Sequence, residues 1–223
     1  MYRQWYDSRF RGHRATAGLL GRKTLIGALV STSLMITSDV IWAREAARAD
    51  VARGDPARGL VLTGLTVVQQ TTDYTCGPAV AVGVARYLGM QADEMTAARE
   101  MGTSPRVGTN PQQMAGWFVA KGFKVRWGEN GSIALLKDNL AKGIPTLVEW
   151  IDWGGHWVVV VGIDDKGTPE TDDDDILFAD PWDRIDGVPD GLTRFNLERF
   201  ESMWFDAFLF HRPMRRVYIS VER

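Results

Sequence analysis

The spacing of the apolar residues changes once along the chain, and this change constrains the fold more than any other feature. Helical spacing dominates before residue 143, and short β-branched runs dominate after it. The spacing predicts helices over 77–88, 92–101, 110–122, 132–143 and 197–205. It predicts an extended entry at 66–70 and strands over 123–127, 145–151, 156–163, 176–179, 206–210 and 217–221. We therefore expect an α+β fold, with N-terminal helices packed on an antiparallel sheet.

The first 43 residues are predicted to lie outside that fold. Residues 1–23 carry six basic residues and one acid, and an apolar run at 24–36 leads to small Ala43. Basic, apolar and small segments in that order are typical of a secretory signal. The run is shorter than the ~20 residues of a membrane-spanning helix, although a helix continued to Trp42 would be an anchor. A cytoplasmic amphipathic leader is the third alternative.

The sequence thus predicts three parts, namely a signal peptide or membrane anchor over 1–43, a linker over 44–64 and a folded domain over 65–223. Either form of the leader predicts export, to the periplasm or the extracellular space, with tethering to the inner membrane if the segment stays uncleaved. The formal net charge of −2 does not suggest a nucleic-acid partner. Nothing in the sequence indicates an oligomeric state.

Reactive side chains are scarce in this chain. A single cysteine excludes an intramolecular disulfide and a structural zinc site built from several thiolates. We therefore expect no metal and no cofactor. The three histidines are His13, which lies in the leader, His156 and His211.

Cys76 lies where the extended segment at 66–70 turns into the first predicted helix. Backbone N–H groups and the helix dipole at that end favour a thiolate, so Cys76 is a candidate nucleophile. The alternative is a buried structural cysteine at a helix start. His156 follows two glycines at the start of a predicted strand, where an imidazole can reach a thiol across a cleft. A half-buried strand histidine is the alternative there, and His211 is the competing base.

A general base needs a group that orients it. Asp180 ends the strand predicted after that of His156, and antiparallel pairing of the two strands would return its carboxylate to the imidazole. Asp183 is the fallback for this role. Gln70 lies six residues before the cysteine, where its amide could donate to a developing oxyanion. Gln69 is the alternative, because side chains alternate along an extended segment and only one of the two should face the site.

Three motifs together resemble family 39 of the cysteine peptidases, the double-glycine leader peptidases and their free-standing relatives. They are Gln70…Asp73-Tyr-Thr-Cys76-Gly-Pro-Ala, Gly155-His156-Trp-Val-Val-Val-Val-Gly-Ile163 and Phe178-Ala-Asp180-Pro, and 200–204 is similar to the end of that domain. The resemblance covers roughly residues 65–221. It implies a papain-like fold in which Gln70, Cys76, His156 and Asp180 act as oxyanion donor, nucleophile, base and orienting residue.

The best-known members of that family are cytoplasmic domains fused to export transporters, whereas this chain is predicted to carry its own export signal. A double-glycine leader is therefore only one candidate substrate. The first functional hypothesis is a thiol peptidase outside the cytoplasm that acts on a peptide or protein, such as a secreted precursor. The second is another acyl-transfer enzyme, such as a peptidoglycan amidase or a transglutaminase-like protein. The third is a non-catalytic relative that binds peptides or assists secretion.

Two further features call for an interpretation. The carboxylates at 172–175 could bind calcium, but their spacing favours a solvated hairpin. Five tryptophans lie near the candidate site residues in sequence, and we expect some to be core and others to line a cleft: Trp150, Trp153, Trp157, Trp182 and Trp204.

Overall fold

The computed structural model describes residues 59–183, 190–206 and 212–223. Within these ranges five helices surround one antiparallel sheet. In chain order the elements are β1 (Leu60–Val61), α1 (Cys76–Tyr87), α2 (Glu94–Met101), α3 (Pro111–Ala120), β2 (Lys124–Gly128), α4 (Ile133–Ala141), β3 (Thr146–Trp150), β4 (His156–Asp164), β5 (Asp175–Ala179), β6 (Leu192–Asn196), α5 (Leu197–Met203) and β7 (Tyr218–Glu222). A single 3₁₀ turn, Asp152–Gly154, leads into β4.

The sheet has the strand order β2-β7-β3-β4-β5-β6, and each pairing is antiparallel. The short β1 pairs with the far end of β4, where Leu60 lies opposite Ile163. The central strands β3 and β4 are buried along nearly their whole length, which explains their continuous apolar sequences.

Helices cover both faces of the sheet. On one face, Val80 and Gly83 of α1 line a small cavity together with Val159 of β4 and Ala179 of β5. On the other face, ring contacts join strand residues Trp150 and Phe178 to a phenylalanine of α5, Phe200. The sheet and α1 are thereby held in a fixed relation, which matters because each carries part of the candidate site.

Capping residues explain where several helices begin. Asn110 accepts a hydrogen bond from the backbone N–H of Gln113, whose side chain bonds back to the Asn110 backbone, and Pro111 takes the first helical position. Ser132 caps α4 in the same way by accepting from the Leu135 N–H. Both starts agree with the sequence prediction.

The predicted α+β class, with N-terminal helices on an antiparallel sheet, is confirmed. Two strands were not anticipated, namely β6 and the short β1, which lies inside the segment predicted as a linker. The last predicted helix ends at Met203 rather than at 205. The strand predicted over 206–210 is wrong at its first residue, because Asp206 belongs to no strand, and 207–210 lie outside the described residues.

The leader predicted over 1–43 also lies outside the described residues. In the part of the chain that the structure describes, no helix is both long enough and apolar enough to span a bilayer.

Candidate active site

Cys76 is the first residue of α1 and is half-buried. The helix begins with the hydrogen bond from the Ala79 N–H to the Thr75 carbonyl, so the amides of Cys76 and Gly77 have no acceptor inside the helix. Pro78 contributes no N–H at this position. The thiol therefore lies beside free backbone donors at the positive end of a helix dipole.

Gly77 is required by the packing around it. A Cβ atom at this position would lie 2.9 Å from the methyl carbon of Met114 and 3.0 Å from Cβ of Thr109. A larger residue would push Met114 and Thr109 away, so glycine allows the start of α1 to pack closely against them.

The segment that leads into Cys76 is held on both sides. The Gln70 N–H donates to the Pro181 carbonyl at 2.9 Å, and the Thr71 N–H donates to a carboxylate oxygen of Glu94 at 2.9 Å. Further along, the hydroxyls of Thr72 and Thr75 lie 2.9 Å apart. The first of these bonds joins the segment 70–75, which we call the nucleophile loop, to the turn that carries Asp180, and the second joins it to α2.

His156 starts β4 after a tight turn that glycine permits. Gly154 has φ of 87° and Gly155 has φ of 128°, both in the region that other residues rarely adopt. This turn places the imidazole at the sheet end next to the start of α1, where His156 is 3% exposed.

Asp180 contacts His156, as expected from antiparallel pairing of their strands. Because β4 and β5 pair antiparallel, Asp180 returns to the level of His156, and its Oδ1 lies 2.7 Å from the imidazole Nε2. The Trp182 N–H also donates to Oδ1 at 2.8 Å, and the Thr193 hydroxyl donates to Oδ2 at 2.8 Å. Three donors thus fix the carboxylate in a buried position.

The Cys76 thiol lies near the same imidazole, close enough to raise its pKa. Since Nε2 is committed to Asp180, the nitrogen left for the thiol is Nδ1. The structure therefore brings three of the four predicted site residues together in the order Cys76, His156, Asp180.

The electrostatics around Cys76, His156 and Asp180 favour a charged imidazole on His156. Burial lowers the pKa of His156, but hydrogen bonds with Asp180 and Cys76 outweigh burial and raise it to about 10. For Asp180 burial raises the pKa, and the hydrogen bonds from His156, Trp182 and Thr193 more than offset it, so the pKa falls below its ordinary value.

Gln69 and Gln70 form hydrogen bonds with different partners. The Gln70 amide donates to the Thr72 carbonyl at 2.7 Å and lies at the base of the nucleophile loop, with its Oε1 buried and unpaired. The Gln69 amide donates to the main-chain carbonyl of Asp180 at 2.9 Å. Since a side-chain amide has two N–H groups, Gln70 retains one for another acceptor.

Asp183, the alternative orienting residue, has a different hydrogen-bond partner. Asp183 accepts the Gly191 N–H at 2.6 Å through its carboxylate and so helps to close the turn after Asp180. His13 and His211 lie outside the described residues.

Sequence analysis missed two residues of this region. Thr193, on the unanticipated β6, is fully buried against Asp180. Glu149, in the middle of β3, is 1% exposed, and its carboxyl lies within electrostatic range of Cys76 and His156. A lone acid inside an apolar strand was the signal that could have identified Glu149.

Two cations pair with the carboxylates at the base of the acidic hairpin after β4. Arg194 bonds to Asp164 at 2.8 Å and to Asp175 at 3.1 Å, and Lys166 pairs with the same two carboxylates. Across residues 59–183, 190–206 and 212–223, no group of three or more potential metal ligands occurs. Of the tryptophans, Trp150, Trp157 and Trp204 are core residues, and Trp182 is half-buried.

Comparison with known proteins agrees with this geometry. The model of the Peptidase_C39 like family matches residues 63–206, whereas no curated protein matches the sequence. The peptidase domain of Streptococcus ComA, a bi-functional ABC transporter involved in a quorum sensing pathway, is similar with a TM-score of 0.52 and 21% identity, over 71% of this chain and 98% of that one. A putative C39-like peptidase from Bacillus anthracis has a TM-score of 0.53 and 15% identity, over 74% of this chain and 98% of that one.

At these identities the two solved structures establish a shared fold, which confirms the papain-like architecture implied by the sequence motifs. The family model spans more than half of the chain, including Cys76, His156 and Asp180. The protein belongs to the Peptidase_C39 like family.

Proposed function

We propose that this protein is a cysteine peptidase that works outside the cytoplasm and hydrolyses peptide bonds with Cys76 as nucleophile. The observation that carries the proposal is the position of His156, which is hydrogen-bonded to Asp180 through Nε2 and lies next to Cys76. A nucleophile, a base and an oriented carboxylate in a row are the arrangement that acyl transfer requires.

Acylation begins when His156 takes the thiol proton. The thiolate attacks the carbonyl carbon of the scissile bond, and the oxygen gains a negative charge. The free N–H of the Gln70 amide and the Cys76 backbone N–H, at the start of α1, donate to that oxygen. The imidazolium then protonates the departing nitrogen, the C–N bond breaks and a thioester remains.

Deacylation uses the same residues in reverse. His156, now neutral, takes a proton from a water molecule whose oxygen attacks the thioester carbon. The C–S bond breaks, the carboxylate product leaves, and the thiolate–imidazolium pair is restored. Asp180 holds the imidazole in one orientation throughout and stabilises its charged form.

The leader and the family support the proposed location and substrate. The basic and apolar segments of residues 1–36 support export, and retention of that segment would anchor the enzyme in the inner membrane. Outside the cytoplasm the available substrates are peptides and proteins, among them secreted precursors.

Peptide profiling tests the activity directly. The protein without residues 1–43 is incubated with a proteome-derived peptide library, and new termini are identified by mass spectrometry. A Cys76→Ala variant, which removes one sulfur from a half-buried position, is the matched background. We expect cleavage by the wild type alone. Equal cleavage by the alanine variant, or none by either protein, would overturn the proposal.

A further inference from the structure

Glu149 lies beneath the nucleophile on the face of the sheet that α1 covers. It is directly opposite Trp157 of β4, and residues paired in this way point to the same face. The Trp157 indole donates to the Thr109 carbonyl at 3.0 Å, and Thr109 packs against Gly77, next to Cys76. Glu149 is therefore part of the layer between the sheet and the start of α1.

This carboxyl group has no compensating partner. Its Oε2 is buried without a hydrogen bond, and no ion pair within the described ranges includes Glu149. The titratable groups that face it are Asp206, Cys76 and His156. Asp206 is 1% exposed, accepts the Met214 N–H through Oδ1 at 2.7 Å and also has a buried oxygen, Oδ2, without a partner.

Burial and these neighbours keep Glu149 protonated. Burial raises the pKa of Glu149 most, Asp206 and Cys76 raise it further, and His156 lowers it, so the pKa lies well above its ordinary value. A glutamine would fill the same volume without the free-energy cost of burying an ionisable group. Destabilising groups of this kind, retained next to a nucleophile, are typical of functional sites.

We propose that Glu149 is a positioning residue of the catalytic centre, whose neutral form permits the thiolate–imidazolium pair and whose ionisation at alkaline pH disfavours that pair. The inference rests on the proposed function, because it concerns the Cys76–His156 pair that performs the hydrolysis.

The charges around Glu149 determine how its ionisation affects the Cys76–His156 pair. Glu149 lies on the face of the sheet that α1 covers, and α1 begins at Cys76. His156, by contrast, pairs with Trp150 on the opposite face. An ionised Glu149 therefore repels the thiolate more than it attracts the imidazolium. When Glu149 releases its proton to solvent, the proton on His156 therefore shifts back to the sulfur, leaving a neutral thiol and a neutral imidazole.

The alkaline limit is the pH above which kcat/KM falls, and two variants should move it in opposite directions. Glu149→Gln stays neutral at every pH, so its limit should move up, towards that of His156. Asp206→Asn removes the neighbouring charge but keeps an oxygen to accept the Met214 N–H, so Glu149 should ionise earlier and the limit should move down. The double variant should behave like Glu149→Gln. Profiles of both single variants that coincide with the wild type would overturn the inference.

A second measurement needs no substrate. The side-chain ¹³C resonance of Glu149 is titrated in the wild type, in Asp206→Asn and in Cys76→Ala. We expect the midpoint to fall in both variants, because each removes a neighbour that raises it. The same midpoint in all three proteins would refute the proposed linkage. Absence of hydrolysis in all proteins, together with the expected midpoints, would instead refute the proposed function alone.

Discussion

Nε2 of His156 lies 2.7 Å from Oδ1 of Asp180, although 24 residues separate them in sequence. The contact arises because β4 and β5 pair antiparallel, so that the start of β4 and the end of β5 lie at the same end of the sheet. A charged acceptor on Nε2 directs Nδ1 towards Cys76 and makes the imidazole a stronger base. In the proposed mechanism, the reactivity of the Cys76 thiol therefore depends on the Asp180 carboxylate, which acts on it through His156.

Replacing Asp180 by Asn should narrow the pH range of activity. Asn keeps the shape and an acceptor but removes the charge, so the pKa of His156 should fall from about 10 towards the ordinary value of 6.5. A raised pKa preserves the imidazolium up to high pH, and the variant should therefore lose kcat/KM at a lower pH than the wild type. Below that limit we expect a loss of about 10²-fold or more. A pH–rate profile with an unchanged alkaline limit would contradict the role of Asp180.

The two glutamines should differ in their effect on the rate. Gln70→Ala removes the proposed oxyanion donor and should lower kcat by about 10²- to 10³-fold with little change in KM. Gln69→Ala is the matched control, because it loses one part-buried hydrogen bond to the Asp180 carbonyl and should lower kcat by about tenfold at most. Steady-state kinetics of the two variants decide which glutamine is the oxyanion donor. A larger loss of kcat in the Gln69 variant would assign that role to Gln69.

Thr193→Val should weaken the support of Asp180. The substitution keeps the shape but leaves Oδ2 of a buried carboxylate without its donor, which costs about 1–3 kcal/mol of unfolding free energy. The lowered pKa of Asp180 contributes stability that is present at neutral pH and lost as pH falls through the folded value. The variant should therefore differ from the wild type more at pH 7 than at pH 3 in urea unfolding. Thr193→Ser, which keeps the hydroxyl, should resemble the wild type.

Glu149→Gln should stabilise the protein in a pH-dependent way. An acid whose pKa is raised by folding destabilises the native state as pH rises above its unfolded value, about 4.3. The melting temperature of the variant should therefore exceed that of the wild type at pH 8 and approach it near pH 4. A variant less stable than the wild type at pH 8 would indicate that Glu149 forms favourable contacts instead.

The sequence was informative where a local signal determines the structure. Asn110 and Ser132 marked helix starts through their capping side chains, and the two β-branched runs around His156 and Asp180 predicted strands whose pairing brings these residues together. These features depend on a few neighbouring residues, so periodicity and capping rules reach them.

Other parts depend on contacts between distant segments. The sequence of β6 has charged and polar residues at several positions because it lies at the sheet edge, so its periodicity is weak, and Thr193 could not be linked to Asp180. The burial of Glu149 likewise depends on α1, β4 and the segment around Asp206 meeting above β3. No rule of local spacing contains that information.

Alkylation of Cys76 tests the central claim most directly, because Cys76 is the only thiol in the chain. Iodoacetamide is added in increments, the label per chain is measured by intact mass, and the remaining hydrolysis of a peptide from the library is measured on the same samples. The proposed mechanism predicts that activity falls in proportion to labelling and reaches zero at one label per chain. A fully labelled protein that still hydrolyses the peptide would show that Cys76 is not the nucleophile.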